Sequence, residues 1–274
     1  MKEYEIYSDI KVPMSSNLIL RIDGRNFHQL SKKIDLQTPF DYEFIKIMVK
    51  CGIDIFKEFS PLFIYIFSDE INILFNYIPF SGRIEKINSV FPSLASSSLT
   101  LSIEKLYNNK DMWDRNKNNK TKNNEKNLFP ITFDSRIIPL SKSEVLKYFK
   151  WRQDEAYRNF VNSHGYWALK EKYHGDELKQ KLNGFKTSDI HEYLFKGKKI
   201  NLGKLPFWQR RGIGIYKKNK IDNSNNNEFF KKNELPLNRI DEISNPKKFI
   251  FVDEKLPMFN KEFFNTNIYL NENP

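Results

Sequence analysis

Three carboxylates stand where they could do chemistry. Asp23 closes the apolar run Leu18 to Ile22 and is followed at once by Gly24. Asp69 and Glu70 sit together between two strand-like runs, Leu62 to Phe67 and Ile71 to Phe75. An acid at the end of a strand, beside a helix N-terminus, can hold a cation next to a phosphate, and a glycine there lets the backbone come close. Taken singly, each feature has an ordinary explanation: Asp23 as a helix cap or turn residue, and Ser68-Asp69-Glu70 as a solvated hairpin tip. Brought together, three carboxylates repel, and they stay ionised mainly when cations lie between them. Two Mg²⁺ ions about 3.5–4 Å apart are the usual arrangement for nucleotidyl transfer. One lowers the pKa of an attacking hydroxyl; the other holds a triphosphate and its leaving group. Every ligand on offer is oxygen, which suits Mg²⁺.

The elements that would bring these acids together follow from periodicity. After Gly24, Phe27, Leu30 and Ile34 recur at helical spacing, predicting strand, tight turn, helix. Asp41 caps a longer helix with Phe44, Ile47, Met48, Cys51, Ile55 and Phe59 as its buried stripe, and Pro61 stops it. The acidic hairpin comes next. A mostly helical stretch from Ser81 to Leu106 follows, which Pro92 is expected to break or kink. Ile131 to Ile138 supplies a fourth strand. The order β, α, β, β, α, β is that of an α+β, ferredoxin-like split βαβ, the palm of polymerases and nucleotide cyclases. In it the first strand lies antiparallel to the third, so Asp23 lands beside Asp69 and Glu70.

The expected organisation is a palm-type catalytic domain over residues 1–138 and a smaller, mainly helical C-terminal domain over 139–274. Residues 108–127 are Asn/Lys-rich with little that is apolar, and read as a loose insertion. Ser141-Lys-Ser-Glu144 opens a long helix with a capping box. Asp176 to Gly184 and Thr187 to Phe195 are short helices. Ser188, Asp189 and His191 suggest a hydrolase triad only on paper, because no nucleophile elbow accompanies them. Phe207 to Lys218 mixes aromatics with Arg210 and Arg211. It reads either as an RNA contact by stacking and phosphate pairing or as an ordinary strand with a basic edge. Asn219 to Asn233 is a second polar loop, Lys247 to Val252 the last strand, and the tail from Asn265 is expected to fray.

Bulk properties narrow the partners. The 274 residues carry a net charge of +11 with pI near 9.4, and 15% are aromatic. This favours an acidic partner, nucleic acid foremost, although an Asn/Lys/Ile-rich composition also puts solvated lysine on the surface. One cysteine, Cys51, excludes an internal disulfide and a Cys-based zinc site. No signal-peptide core or membrane-length apolar run is present, so a soluble, cytoplasmic protein with no membrane partner is expected.

Arg21-Ile-Asp-Gly-Arg-Asn-Phe-His28, the Ser68-Asp69-Glu70 hairpin, Phe133-Asp-Ser-Arg136 and Trp151-Arg-Gln153 stand in the same order and spacing as in the tRNA-histidine guanylyltransferase family. The chain resembles that family from about residue 5 to about residue 215. The resemblance implies a palm working in reverse, adding nucleotides in the 3′–5′ direction to the 5′ end of tRNA. ATP activates the 5′-phosphate, and the 3′-hydroxyl of GTP or another NTP attacks it. Carried over, Asp23, Asp69 and the Gly24 carbonyl would bind two Mg²⁺ ions, with Glu70 a supporting carboxylate. Asp23, Gly24, Arg25, Asn26, Phe27, His28, Ser68 and Asp69 would line the nucleotide. Arg83 and Lys86 match basic positions used on a triphosphate during activation; Arg152, Asn159, Arg210 and Arg211 are candidate RNA contacts. A homotetramer is implied as well.

Two departures separate this chain from the eukaryotic enzymes. Of their His-Ile-Asn-Asn stretch only Asn159 remains, with Tyr157 in place of the histidine and Phe160 in place of the second asparagine. Thr38 stands where they carry a lysine linked to activation. The Tyr-Arg-Asn form resembles the archaeal, bacterial and other "-like" members, for which templated repair of a truncated tRNA 5′ end is implied. The alternatives in other classes are a non-catalytic tRNA-binding descendant and a diguanylate-cyclase-like enzyme. An intact carboxylate set argues against the first, and the basic charge against the second.

Overall fold

The computed structural model describes residues 1–108, 130–219, 239–241 and 248–269. All but the first residue of the insertion expected at 108–127, and most of the second polar loop, lie outside the described residues. Strand β1 (Asn17–Gly24) is followed by a short helix α1 (Phe27–Lys33) and by α2 (Tyr42–Phe59). The hairpin β2 (Phe63–Phe67) and β3 (Glu70–Phe75) leads to α3 (Ile84–Asn108), then β4 (Phe133–Leu140). These four strands run β4-β1-β3-β2, antiparallel throughout, which is the expected split βαβ order.

Helix α4 (Lys142–Lys170) comes next, then α5 (Gly175–Gly184), α6 (Thr187–Glu192) and α7 (Phe207–Arg211). The C-terminal part is helical but also contributes β5 (Ile213–Asn219), β6 (Arg239–Asp241) and β7 (Lys248–Asp253). They continue the sheet beyond β2 in the order β5-β7-β6, so one seven-stranded sheet crosses the boundary placed near residue 138.

Helices cover both faces of the sheet, which is why the central strands are apolar without alternation. Leu18, Leu20, Ile22, Ile64, Ile66, Ile71 and Ile73 pack with Met48, Cys51, Phe56 and Phe91 of α2 and α3. Ile19, Phe63, Tyr65, Phe67 and Leu74 pack on the opposite face with Phe149 and Phe160 of α4 and Phe259, Phe263 and Phe264 from the C-terminal end. The tail expected to fray is therefore packed as far as Ile268, which is fully buried. Burial pushes the Cys51 thiol up to about 12, so it stays protonated and acts as a small hydrophobe.

Helix boundaries follow local chemistry. The Asp41 carboxylate accepts the Phe44 N–H at 2.8 Å and starts α2. Glu144 reaches back to the Ser141 N–H at 2.9 Å and starts α4. Helix α3 continues through Pro92 rather than breaking there. Pro92 cannot donate to the Asn88 carbonyl, and β4 partly takes over that role: Ser135 Oγ lies 3.4 Å from this carbonyl and 2.9 Å from Asn88 Oδ1. Among the described residues no helix is long and apolar enough to cross a membrane.

Candidate active site

Asp23 lies one residue from the end of β1, paired in register with Glu70 on β3 and with Asp134 on β4. Asp69 occupies the turn between β2 and β3, and its carbonyl accepts the Gly24 N–H at 3.2 Å. The split βαβ order thus brings Asp23, Asp69 and Glu70 together as the pattern of elements required. Gly24 is needed for space: a Cβ there would meet the Phe27 ring at 2.2 Å. That ring packs against Phe133 and Phe44, with centroids 5.3 and 5.9 Å away, and so seats α1 over the strand end.

The electrostatics separate two of the acids from the third. Burial raises the Asp23 carboxyl, Glu70 and Asp134 raise it further, and Arg21 and Arg136 oppose them. Burial and then Asp23 push Asp69 up to about 6. Neither acid forms an ion pair among the described residues. Glu70 is different: Arg152 Nε and Nη2 donate to its two oxygens at 2.9 and 2.6 Å, and Asn72 Nδ2 donates at 2.8 Å. Among the described residues, no group of three or more His, Cys, Asp or Glu side chains is placed to hold a metal ion.

A cleft of about 560 Å³ opens over these acids. Asp23, Phe27, His28, Ser68, Asp69 and Glu70 line it, together with Arg152, Asn159, Ser163 and Trp167 of α4. Thr38, Phe40 and Phe44, with Trp208 of α7, line it too, and the Phe40 ring packs against Phe160 and His164 of α4. Arg152 and Asn159 therefore join the carboxylates in a single cleft. Arg25 and Asn26 lie at the strand–helix turn but do not line it, and neither do Arg83, Lys86, Arg210 and Arg211.

Arg83 Nε points at the Phe80 carbonyl, 3.4 Å away, and Lys86 is exposed on α3. Arg210 donates to the Leu205 carbonyl at 2.9 Å and Arg211 to the Leu256 carbonyl at 3.3 Å. Both guanidiniums lie over the Phe207 ring. The structure thus employs these two arginines in packing α7.

Asp134, opposite Asp23 across the β1–β4 ladder, raises the Asp23 carboxyl, a neighbour that its place at the start of a strand antiparallel to β1 signalled, but it is exposed and does not line the cleft. Trp167, Trp208 and Phe40 were missed, since nothing local distinguishes a cleft aromatic from a core one. Tyr157, in the histidine position, places its hydroxyl 3.1 Å from Nε2 of His191 on α6. His191 thus has a partner outside any hydrolase triad.

A family profile for tRNAHis guanylyltransferase (Thg1) matches residues 1–141, and a Thg1 C terminal domain profile matches residues 143–252. The chain belongs to the tRNA(His) guanylyltransferase family. This is a family of nucleotidyltransferases, and the chain is an enzyme of that class. It is similar to a probable tRNA(His) guanylyltransferase of Dictyostelium discoideum, 28% identical over 207 residues, covering 73% of this chain and 75% of that protein. It is similar also to the tRNA(His) guanylyltransferase of Debaryomyces hansenii, 31% identical over 191 residues and covering 67% of each. Among solved structures, a bacterial Thg1-like protein in complex with ATP superimposes with a TM-score of 0.69 at 25% identity, covering 97% of this chain and 95% of that one. The Saccharomyces cerevisiae enzyme shares the fold, with a TM-score of 0.64 at 22% identity over 77% of this chain and 90% of that one.

Proposed function

We propose that this chain is a Mg²⁺-dependent polymerase that adds nucleotides in the 3′–5′ direction to the 5′ end of tRNA. The observation that carries the reading is the pair Asp23 and Asp69. Two carboxylates with no ion-pair partner among the described residues lie together in the lining of a nucleotide-sized cleft. Both are held above the usual carboxylate range, as expected of a site built to receive cations. Their oxygens, with the Gly24 carbonyl, fit two Mg²⁺ ions. When bound, Mg²⁺ would acidify the attacking hydroxyl and neutralise the phosphates.

The reaction joins the 3′-oxygen of the incoming nucleoside triphosphate to the α-phosphorus at the tRNA 5′ end. The bond to the leaving pyrophosphate, or to AMP after activation by ATP, breaks, and the hydroxyl proton passes to solvent. The chain itself supplies confinement and alignment. Phe40, Trp167 and Trp208 offer apolar faces to a base and exclude water, while Asn159 and Ser163 present polar groups from α4. The complex of a bacterial Thg1-like protein with ATP supports nucleotide binding by this chain.

Templated repair of a truncated 5′ end is the favoured form of the activity, because the activation lysine and the histidine of the eukaryotic enzymes are here Thr38 and Tyr157. Assembly into a tetramer belongs to the same proposal. It is supported by the exposed Tyr4, Ile6, Tyr7, Ile10 and Met14 near the N-terminus.

The test is a nucleotide-addition assay with Mg²⁺, ATP and all four NTPs on two substrates, a tRNA lacking its first nucleotide and an intact tRNA(His). Template-directed addition to the first alone is expected, and Asp69→Ala should abolish it while leaving the thermal transition in place. One guanosine added to intact tRNA(His) alone would make single guanylylation the activity. Tight tRNA retention with no addition to either would favour a non-catalytic binding protein.

A further inference from the structure

We propose that Arg152 is a positioning residue that holds Glu70 away from the cation site and, through it, fixes the Ser68–Asp69 turn. The inference rests on the metal-dependent reading above. Glu70 has no idle carboxylate oxygen. Oε1 accepts Arg152 Nε at 2.9 Å and Asn72 Nδ2 at 2.8 Å, and Oε2 accepts Arg152 Nη2 at 2.6 Å. Both partners of the ion pair are largely buried, with side chains 14% and 13% exposed. This is the paired fork that makes an arginine–carboxylate contact both strong and directional.

The same helix grips β3 one turn earlier, where the Tyr148 hydroxyl donates to Asn72 Oδ1 at 2.6 Å. Helix α4 therefore holds the start of β3 at two points, residues 148 and 152. Gln153 anchors the helix from its other side, donating to the Pro257 carbonyl at 3.0 Å and accepting the Phe259 N–H at 2.8 Å.

The grip matters because Glu70 is the hinge of the turn. It pairs with Asp23 across one ladder and with Phe67 across the other, and Asp69 precedes it directly. Ser68 holds φ at 53°, a left-handed conformation that a non-glycine residue keeps only when its surroundings enforce it. Released from Arg152, Glu70 would no longer pin the Ser68–Asp69 turn, and Asp69 would be misaligned for catalysis while still able to take the cation.

The full chain, Glu70→Gln, Arg152→Met, the double variant and Arg152→Lys are compared by Mn²⁺ binding in paramagnetic resonance, without tRNA or nucleotide, and by steady-state addition. Each neutralising single variant is expected to bind Mn²⁺ with the wild-type stoichiometry and to lose about tenfold in kcat with little change in KM for the nucleotide. The double variant should lose no more than the worse single one. Arg152→Lys should recover part of kcat, since it restores the charge without the fork.

Loss of one bound Mn²⁺ from the stoichiometry in Glu70→Gln would make Glu70 a ligand and overturn the proposal, since a partner behind the ligands lowers affinity without removing an ion. Losses that multiply in the double variant would overturn it too, by making Arg152 act independently. If a single variant fails to fold, the double variant, which leaves no charge unpaired, decides through its Mn²⁺ stoichiometry. A wild-type chain that binds no Mn²⁺ removes the metal-dependent reading and this one with it; normal wild-type binding with altered variants strikes at Arg152 alone.

Discussion

Asp69 carries a cost that a bound cation or a proton removes. Its carboxyl is pushed up to about 6 from an ordinary value of 3.8, by burial and by Asp23. A raised acid binds more protons folded than unfolded, so metal-free stability falls as pH rises from about 4 through about 6, by up to roughly 3 kcal/mol. Below that window both states are protonated and the cost vanishes. Mg²⁺ should therefore raise the melting midpoint clearly near pH 7.5 and little near pH 5, and Asp69→Asn should flatten the dependence. Equal Mg²⁺ shifts at both pH values would show that Asp69 does not titrate with the metal. Asp23 and Asp69 were legible in sequence because topology alone places a strand end against a hairpin turn. Glu70 was legible as a neighbour but not in its role, because its partner Arg152 stands 82 residues away, on a helix whose rotation the sequence does not set.

Turns and helix ends depend on side chains near in sequence, and this was largely readable: Asp41, Ser141 and Glu144 cap where their types and spacing say they should. That α3 continues through Pro92 was less readable, because the Asn88 carbonyl left without its helical donor lies near Ser135, a residue remote in sequence on β4. Gly212 is the corresponding case between α7 and β5. Its φ is +74°, and a Cβ there would lie 2.5 Å from the Tyr65 ring and 2.6 Å from the Ile66 carbonyl oxygen. Gly212→Ala should then destabilise the chain by more than about 1 kcal/mol, since neither the backbone angle nor the carbonyl can yield cheaply. Gly184, helical with nothing within 4 Å of a Cβ, is the control, and Ala there should be neutral or stabilising by about 0.5 kcal/mol. Urea melts of the two variants compare them directly; equal effects would mean that the α7–β5 turn relaxes more readily than its packing implies.

At the scale of the molecule, the aromatic cluster behind α4 joins parts of the chain that are remote in sequence. Phe63 on β2 meets Phe149 on α4 at 5.2 Å and Phe259 at 5.9 Å, and Phe259, Phe263 and Phe264 contact one another within 5.6 Å. These last residues lie beyond residue 252, where the match to the family's C-terminal profile stops, and directly before the tail from Asn265 that was expected to fray. Leu256, Phe259, Phe263, Phe264 and Ile268 are all buried. Five such side chains at about 1.5–3 kcal/mol each contribute roughly as much as the whole net stability of a typical domain, even allowing for a compact unfolded state. A chain ending at Asp253 should therefore lose its cooperative thermal transition and its near-ultraviolet dichroism. It should also lose nucleotide addition, since Gln153 would keep neither Pro257 nor Phe259 to anchor α4 above the carboxylates. If the truncated chain melts cooperatively but adds no nucleotide, the C-terminal segment acts on the site through α4 rather than on the fold. If it melts and adds nucleotides like the full chain, the cluster contributes to neither.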